Sequence, residues 1–145
     1  MAKRTLTTSK VFLDTAYAIA LSVISDEHHR SAEALADQME AEQTSLITTQ
    51  AILLEIGNAL SKKRYRKAAV ELIDALERDP RVEIIPLTEE LFGRALELFR
   101  NRPDKQWGLI DCVSFVAMQE RGLTEALTTD EHFEHAGFRA LLRHH

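Results

Sequence analysis

Apolar positions along the chain switch repeatedly between two periods. Short consecutive runs, Lys10-Val11-Phe12-Leu13, Thr44-Ser45-Leu46-Ile47, Val82-Glu83-Ile84-Ile85 and Ala126-Leu127-Thr128, read as strands. Between them, apolar residues recur at helical spacing. Residues 31–42 place Ala32, Leu35, Ala36 and Met39 on one stripe, and residues 50–64 do the same with Ile52, Leu53, Ile56, Ala59 and Leu60. Further helices are predicted at 15–25, 66–77, 88–100 and 109–121, with a last one starting near Asp130. Thr48 or Thr49 is placed to cap the 50–64 helix, Thr88-Glu89-Glu90 opens the 88–100 helix, and Pro86 stops the strand before it. No repeat, low-complexity run or Pro/Gly/Ser linker divides the chain. Strands alternating with helices predict an α/β fold with a mainly parallel sheet covered on both faces.

Sheets of that kind hold ligands in a crevice at the carboxyl ends of their strands. Two acids are placed there by order alone: Asp14, directly after the first strand in Val-Phe-Leu-Asp-Thr (11–15), and Asp130, just past the fourth in Thr-Thr-Asp-Glu-His-Phe (128–133). Two more stand out on helices. Glu55, in Leu-Leu-Glu-Ile-Gly-Asn (53–58), sits at the flank of its helix's apolar stripe. Asp111, in Leu-Ile-Asp-Cys-Val-Ser-Phe (109–115), belongs to a helix that is apolar nearly all round and therefore predicted to be buried. A buried carboxylate needs a partner, and Ser114 is the only polar neighbour one turn along. Each acid has a structural explanation by itself. Asp14 and Asp130 can cap helices, Asp111 can complement a helix dipole, and Glu55 can form a salt bridge at the helix edge. Together, four convergent carboxylates would repel one another unless a divalent cation lay between them. All-oxygen ligation suits Mg²⁺ or Mn²⁺ rather than zinc.

Composition narrows the class. A chain of 145 residues, 45% of them hydrophobic and with only 5 Gly and 3 Pro, predicts one globular domain. The single cysteine, Cys112, excludes an internal disulfide and fits a reducing, cytoplasmic setting; on an apolar helix it reads as a small packing residue. Lys3, Arg4 and Lys10 before the apolar stretch 11–24 imitate a secretory leader. Asp14 interrupts that stretch, and the uninterrupted part, 16–24, is far too short to span a membrane. No membrane association is expected. His28-His29 and the pair His132 and His135 lack structural zinc spacing and read as surface or packing residues. No Gly-rich phosphate loop occurs. Trp107 reads as core or helix-entry packing, and the closing His144-His145 carry no assigned role.

The formal net charge of -5 argues, on its face, against a polyanion as partner. The distribution says otherwise. Lys62-Lys63-Arg64-Tyr65-Arg66-Lys67 carries five positive charges in six positions. It reads either as a solvated helix end complementing the dipole, or as a phosphate-gripping patch in which Lys62, Lys63, Arg64 and Arg66 meet RNA. Arg100, Arg102 and Lys105 extend it.

Taken in order, strand-Asp-Thr, the interior helical Glu, Leu-Ile-Asp-Cys-Val-Ser-Phe and Thr-Thr-Asp-Glu-His-Phe resemble the PIN-domain nucleases, and within these the VapC-type toxins of toxin–antitoxin pairs. The resemblance runs from about residue 10 to residue 138 and implies a single domain with a three-layer α/β/α fold. Asp14, Glu55, Asp111 and Asp130 match the family's acidic set. The chain departs from the pattern at Ala16, where the family commonly carries a hydroxyl side chain. The resemblance implies an Mg²⁺- or Mn²⁺-dependent endoribonuclease with Asp14, Asp111 and Asp130 as metal ligands and Glu55 as a ligand or positioner of the attacking water. It also implies a homodimer restrained by a cognate antitoxin protein. Two alternatives remain at this level: a PIN-like module that binds RNA or protein without cutting, and a receiver-like signalling domain. The first strand lacks the adjacent acidic pair that a receiver requires.

Overall fold

The structure, a computed structural model, describes residues 9–143; Lys3, Arg4, His144 and His145 lie outside that range. The elements run β1 (Lys10–Leu13), α1 (Thr15–Ser22), α2 (His29–Glu42), β2 (Ser45–Thr49), α3 (Gln50–Ala59), α4 (Lys63–Arg78), β3 (Val82–Ile85), α5 (Glu89–Asn101), α6 (Leu109–Glu120), β4 (Glu125–Leu127), α7 (Glu131–His135) and β5 (Arg139–Ala140). The predicted caps form: Thr49 accepts from the Ile52 N–H and Thr88 from the Leu91 N–H, both at 3.1 Å.

The strands make one sheet in the order β3-β2-β1-β4-β5, with every pairing parallel. Val11, Phe12 and Leu13 point alternately to opposite faces, yet all three are buried, as is every residue of β4. Both faces are therefore covered. Helices α1 to α4 pack among themselves and α5 packs on α6, which makes the expected three layers. The order sets the receiver-like reading aside, because there the first strand would neighbour the second and third. Here β1 lies between β2 and β4, so the strand order reverses between β1 and β4. That reversal opens the crevice in which ligands of such folds sit.

Three departures from the sequence expectation stand out. The helix predicted over 50–64 ends at Ala59, and the next begins at Lys63 rather than Arg66. Leu60, buried in the core, caps the break, and the Arg66 guanidinium bonds the Ser61 carbonyl at 3.2 and 2.9 Å. The basic run thus opens α4 rather than closing α3. Second, β5 is an additional strand. Gly137, at φ 96°, makes the turn that leads into it. Third, Asp111 is not enclosed: its side chain keeps 22% exposure although the helix behind it is buried from Cys112 to Met118. Its position in the first turn brings it to the rim. Its bond partner is the Gly108 N–H at 3.1 Å, not Ser114, whose buried hydroxyl has no partner among the described residues.

Candidate active site

The reversal point brings Asp14 near Glu55 and Asp111, and Asp111 near Asp130, but among the described residues the group close enough to share one ion is Asp111, Asp130 and His132, without Asp14 or Glu55. Asp14 leaves β1 and its N–H bonds the Leu127 carbonyl of β4 at 3.3 Å, closing the two strand ends together. Its carboxylate, 7% exposed, accepts the Thr128 hydroxyl at 2.6 Å and forms no helix cap. Burial raises the Asp14 pKa to about 7. The Thr128 hydroxyl and the Thr15 N–H pull it down, and the Glu55 and Asp111 charges push it up. Asp111 is also held above the usual carboxylate range, first by burial; the Gly108 N–H lowers it, Asp130 raises it, and His132 lowers it. Asp14 thus feels both helical acids, and Asp111 feels Asp130.

Each side chain is positioned by local structure. Glu55, half-buried on α3, accepts the Thr15 hydroxyl from the first turn of α1. Asp130 caps α7 by accepting the His132 N–H at 2.8 Å. That cap also orients the imidazole, whose Nδ1 lies 3.4 Å from Asp130 Oδ1 and 3.5 Å from Asp111 Oδ2. One donor atom from each of Asp111, Asp130 and His132 falls within 4.8 Å of the others, close enough to hold one metal ion. The buried Asp14, the mutual repulsion of the acids and a donor set rich in oxygen fit a hard divalent cation.

Sequence reading missed three participants. His132 was read as a surface or packing residue, although its place two residues after a capping Asp foreshadows the contact. Thr15 and Thr128 supply the site's hydroxyl groups, while Ala16 supplies none. The expectations for Cys112 and Trp107 hold: Cys112 is buried and free, and Trp107 packs edge-on against Phe115 with centroids 5.0 Å apart.

Lys62, Lys63, Arg64 and Arg66 are exposed and stand outside the acidic cluster. Lys62 occupies the N-cap position of α4 and Lys63 to Lys67 its first turns. The reading in which these cations complement a helix C-terminus is therefore overturned, because they oppose the dipole instead. Arg64 lies over the Tyr65 ring, 4.7 Å from its centroid. No described helix is long and apolar enough to cross a membrane.

An acid cluster at the reversal point of a parallel α/β/α sheet, with its motifs in this order, defines a PIN domain. The PIN-domain family matches residues 11–139, and the chain belongs to it. Among curated relatives, the 23S rRNA-specific endonuclease VapC20 of Mycobacterium tuberculosis is 26% identical over 128 residues, covering 88% of this chain and 95% of VapC20. The crystal structure of M. tuberculosis VapC20, a sarcin–ricin loop cleaving toxin, superposes with a TM-score of 0.78 at 25% identity over 88% of this chain and 95% of that one. VapBC2 from Rickettsia felis, solved with a promoter DNA fragment, matches in fold with a TM-score of 0.62 at 15% identity, over 90% of this chain and 96% of the other. FitAcB from Neisseria gonorrhoeae does so with a TM-score of 0.60 at 18% identity, over 90% and 94%. The chain is a PIN-domain nuclease of the VapC type.

Proposed function

We propose that this chain, residues 1–145 as one PIN domain with its core at 10–138, is a divalent-metal-dependent endoribonuclease and the toxin of a VapBC-type pair. The observation that supports the reading is the Asp111, Asp130 and His132 group at the β1/β4 reversal point, with Asp14 buried close enough to Asp111 and Glu55 to feel their charge. Asp14, Asp111 and Asp130 would hold Mg²⁺ or Mn²⁺, and His132 Nδ1 would add a donor beside the last two. The bound cation supplies a water acidic enough to attack at neutral pH and a counter-charge for the phosphate. Glu55, fixed by the Thr15 hydroxyl, would orient the attacking water. Asp14, whose burial favours the protonated form, would be ionised by a cation held beside it.

The RNA backbone lies along the positive opening of α4, where Lys62, Lys63, Arg64 and Arg66 add to the helix dipole's own positive end. VapC20 makes 23S rRNA the first substrate to offer. A cognate antitoxin and a second copy of the chain complete the proposed assembly.

The test is cleavage of purified 23S rRNA with Mg²⁺ or Mn²⁺ and with EDTA. Cutting should require the cation, and folded Asp111→Asn protein should be inactive. Undiminished cutting by Asp111→Asn or Asp14→Asn would overturn the site. Growth arrest on expression, relieved by a small co-expressed partner, tests the toxin role separately.

A further inference from the structure

A cleft opens between the end of α5, the 102–108 loop and the start of α6, the helix that carries Asp111. Its volume is about 400 Å³, and its walls include Phe99, Arg102, Pro103, Lys105, Gln106 and Trp107. That size is within the range of small-ligand sites. Trp107, 7% exposed, is pinned edge-on against Phe115 and makes a rigid floor. Its Nε1–H is buried and finds no acceptor among the described residues. Arg102 lies over the indole, 5.2 Å from the ring centroid. Its Nε and Nη2 bond the Asp104 carboxylate at 3.0 and 2.9 Å, which holds the guanidinium in place. Phe99 contributes a large ring that keeps 45% exposure, apolar surface that the core does not use.

One bond ties this cleft to the acidic cluster. The Gly108 N–H, which belongs to the peptide unit joining Trp107 to Gly108, donates to Asp111 Oδ2 at 3.1 Å. An occupant of the cleft therefore sits one peptide unit from a carboxylate of the site.

We infer that this cleft is the subsite for one nucleotide flanking the scissile phosphate, with its base against Phe99 and its phosphate on Lys105 and Arg102. The inference rests on the ribonuclease reading above and adds where the substrate is gripped. Exposed aromatic surface together with cations is the combination that binds single-stranded nucleic acid. An uncharged apolar ligand would leave the cations unused, and an acidic peptide would leave the Phe99 ring unused. Among residues 100–105, Arg100, Arg102 and Lys105 outnumber Asp104, so the rim attracts an anion.

Trp107 is the chain's only tryptophan, so its emission reports on the cleft alone. The experiment titrates the whole protein, in EDTA to prevent cutting, with a short single-stranded RNA of mixed sequence. Binding should change Trp107 emission, and Phe99→Ala or Lys105→Ala should each weaken it about tenfold. In 23S rRNA cleavage the same variants should raise KM more than they lower kcat. RNA that is cut and bound with no change in emission and no effect of either substitution overturns the subsite and leaves the nuclease reading standing. Neither binding nor cutting overturns both. A response to poly-glutamate as strong as that to RNA assigns the cleft to acidic peptides and overturns the nucleotide subsite.

Discussion

Thr128 donates its hydroxyl to Asp14 Oδ2 at 2.6 Å, joining residues 114 positions apart in the chain across the ends of β4 and β1. The bond stabilises the ionised form of a carboxyl whose pKa burial nonetheless raises to about 7. Divalent-metal binding requires that ionised form, so Mn²⁺ affinity should fall as pH drops through about 7. Thr128→Val should move the fall to higher pH, by roughly one unit. Calorimetric Mn²⁺ titration across pH 5.5 to about 8.5 checks this.

Asp14 makes the metal-free fold pH-sensitive in a definite direction. Its pKa is raised from 3.8 to about 7, so between those values the folded state binds more protons than the unfolded. Stability is full at low pH, declines as pH rises through that window, and levels off above it. The span is on the order of 4 kcal/mol. Asp14→Asn should remove the decline and give a higher Tm than the wild type at pH 8 in EDTA, while abolishing cleavage. Thermal melts at several pH values decide it.

The Thr15 hydroxyl holds Glu55, while the residue's N–H, which a substitution leaves in place, bonds Asp14. Thr15→Val should slow RNA cleavage about tenfold or more by freeing the proposed positioner of water. Mn²⁺ affinity should change little, so parallel rate and binding measurements separate positioning from ligation.

His132 places its Nδ1 3.4 Å from Asp130 Oδ1 and 3.5 Å from Asp111 Oδ2. Replacing it with Ala should weaken metal binding about tenfold, and Mn²⁺ more than Mg²⁺, since the larger loss falls on the metal that accepts nitrogen donors better. Comparing the two metals' activation curves for His132→Ala and wild type tests the assignment.

The cations opening α4 act against their helix. Changing Lys62, Lys63 and Arg64 to Gln should raise Tm by about a few degrees, because three positive charges leave a positive helix end. RNA affinity should fall, and the slope of log K against log salt should shrink by about 2 for single-stranded RNA. Arg66 is left in place because it bonds the Ser61 carbonyl. A salt series of binding isotherms checks the slope.

Most element identities were legible from periodicity, because strands and helices here differ in apolar spacing. The break at Leu60 was not, since no Gly or Pro follows it and the Lys62, Lys63 and Arg64 that do are good helix formers. Its consequence was large: it turned a stabilising helix end into a destabilising one. The two-residue β5 carries too little pattern to be read and exists because β4 offers it a parallel edge. Asp111 was read as enclosed because helical periodicity describes a face, whereas its exposure depends on where the helix begins.

By itself, the sequence determined the alternation of elements and placed Asp14 and Asp130 at strand ends, because those follow from local spacing and chain order. It also supplied the four acids whose motifs resemble the PIN family. Tertiary structure alone decided that β1 and β4 are neighbours, so that Thr128 reaches Asp14, and that Thr15 reaches Glu55 and His132 reaches Asp111. Those contacts join residues far apart in the chain and depend on strand order and helix packing, which no local period encodes.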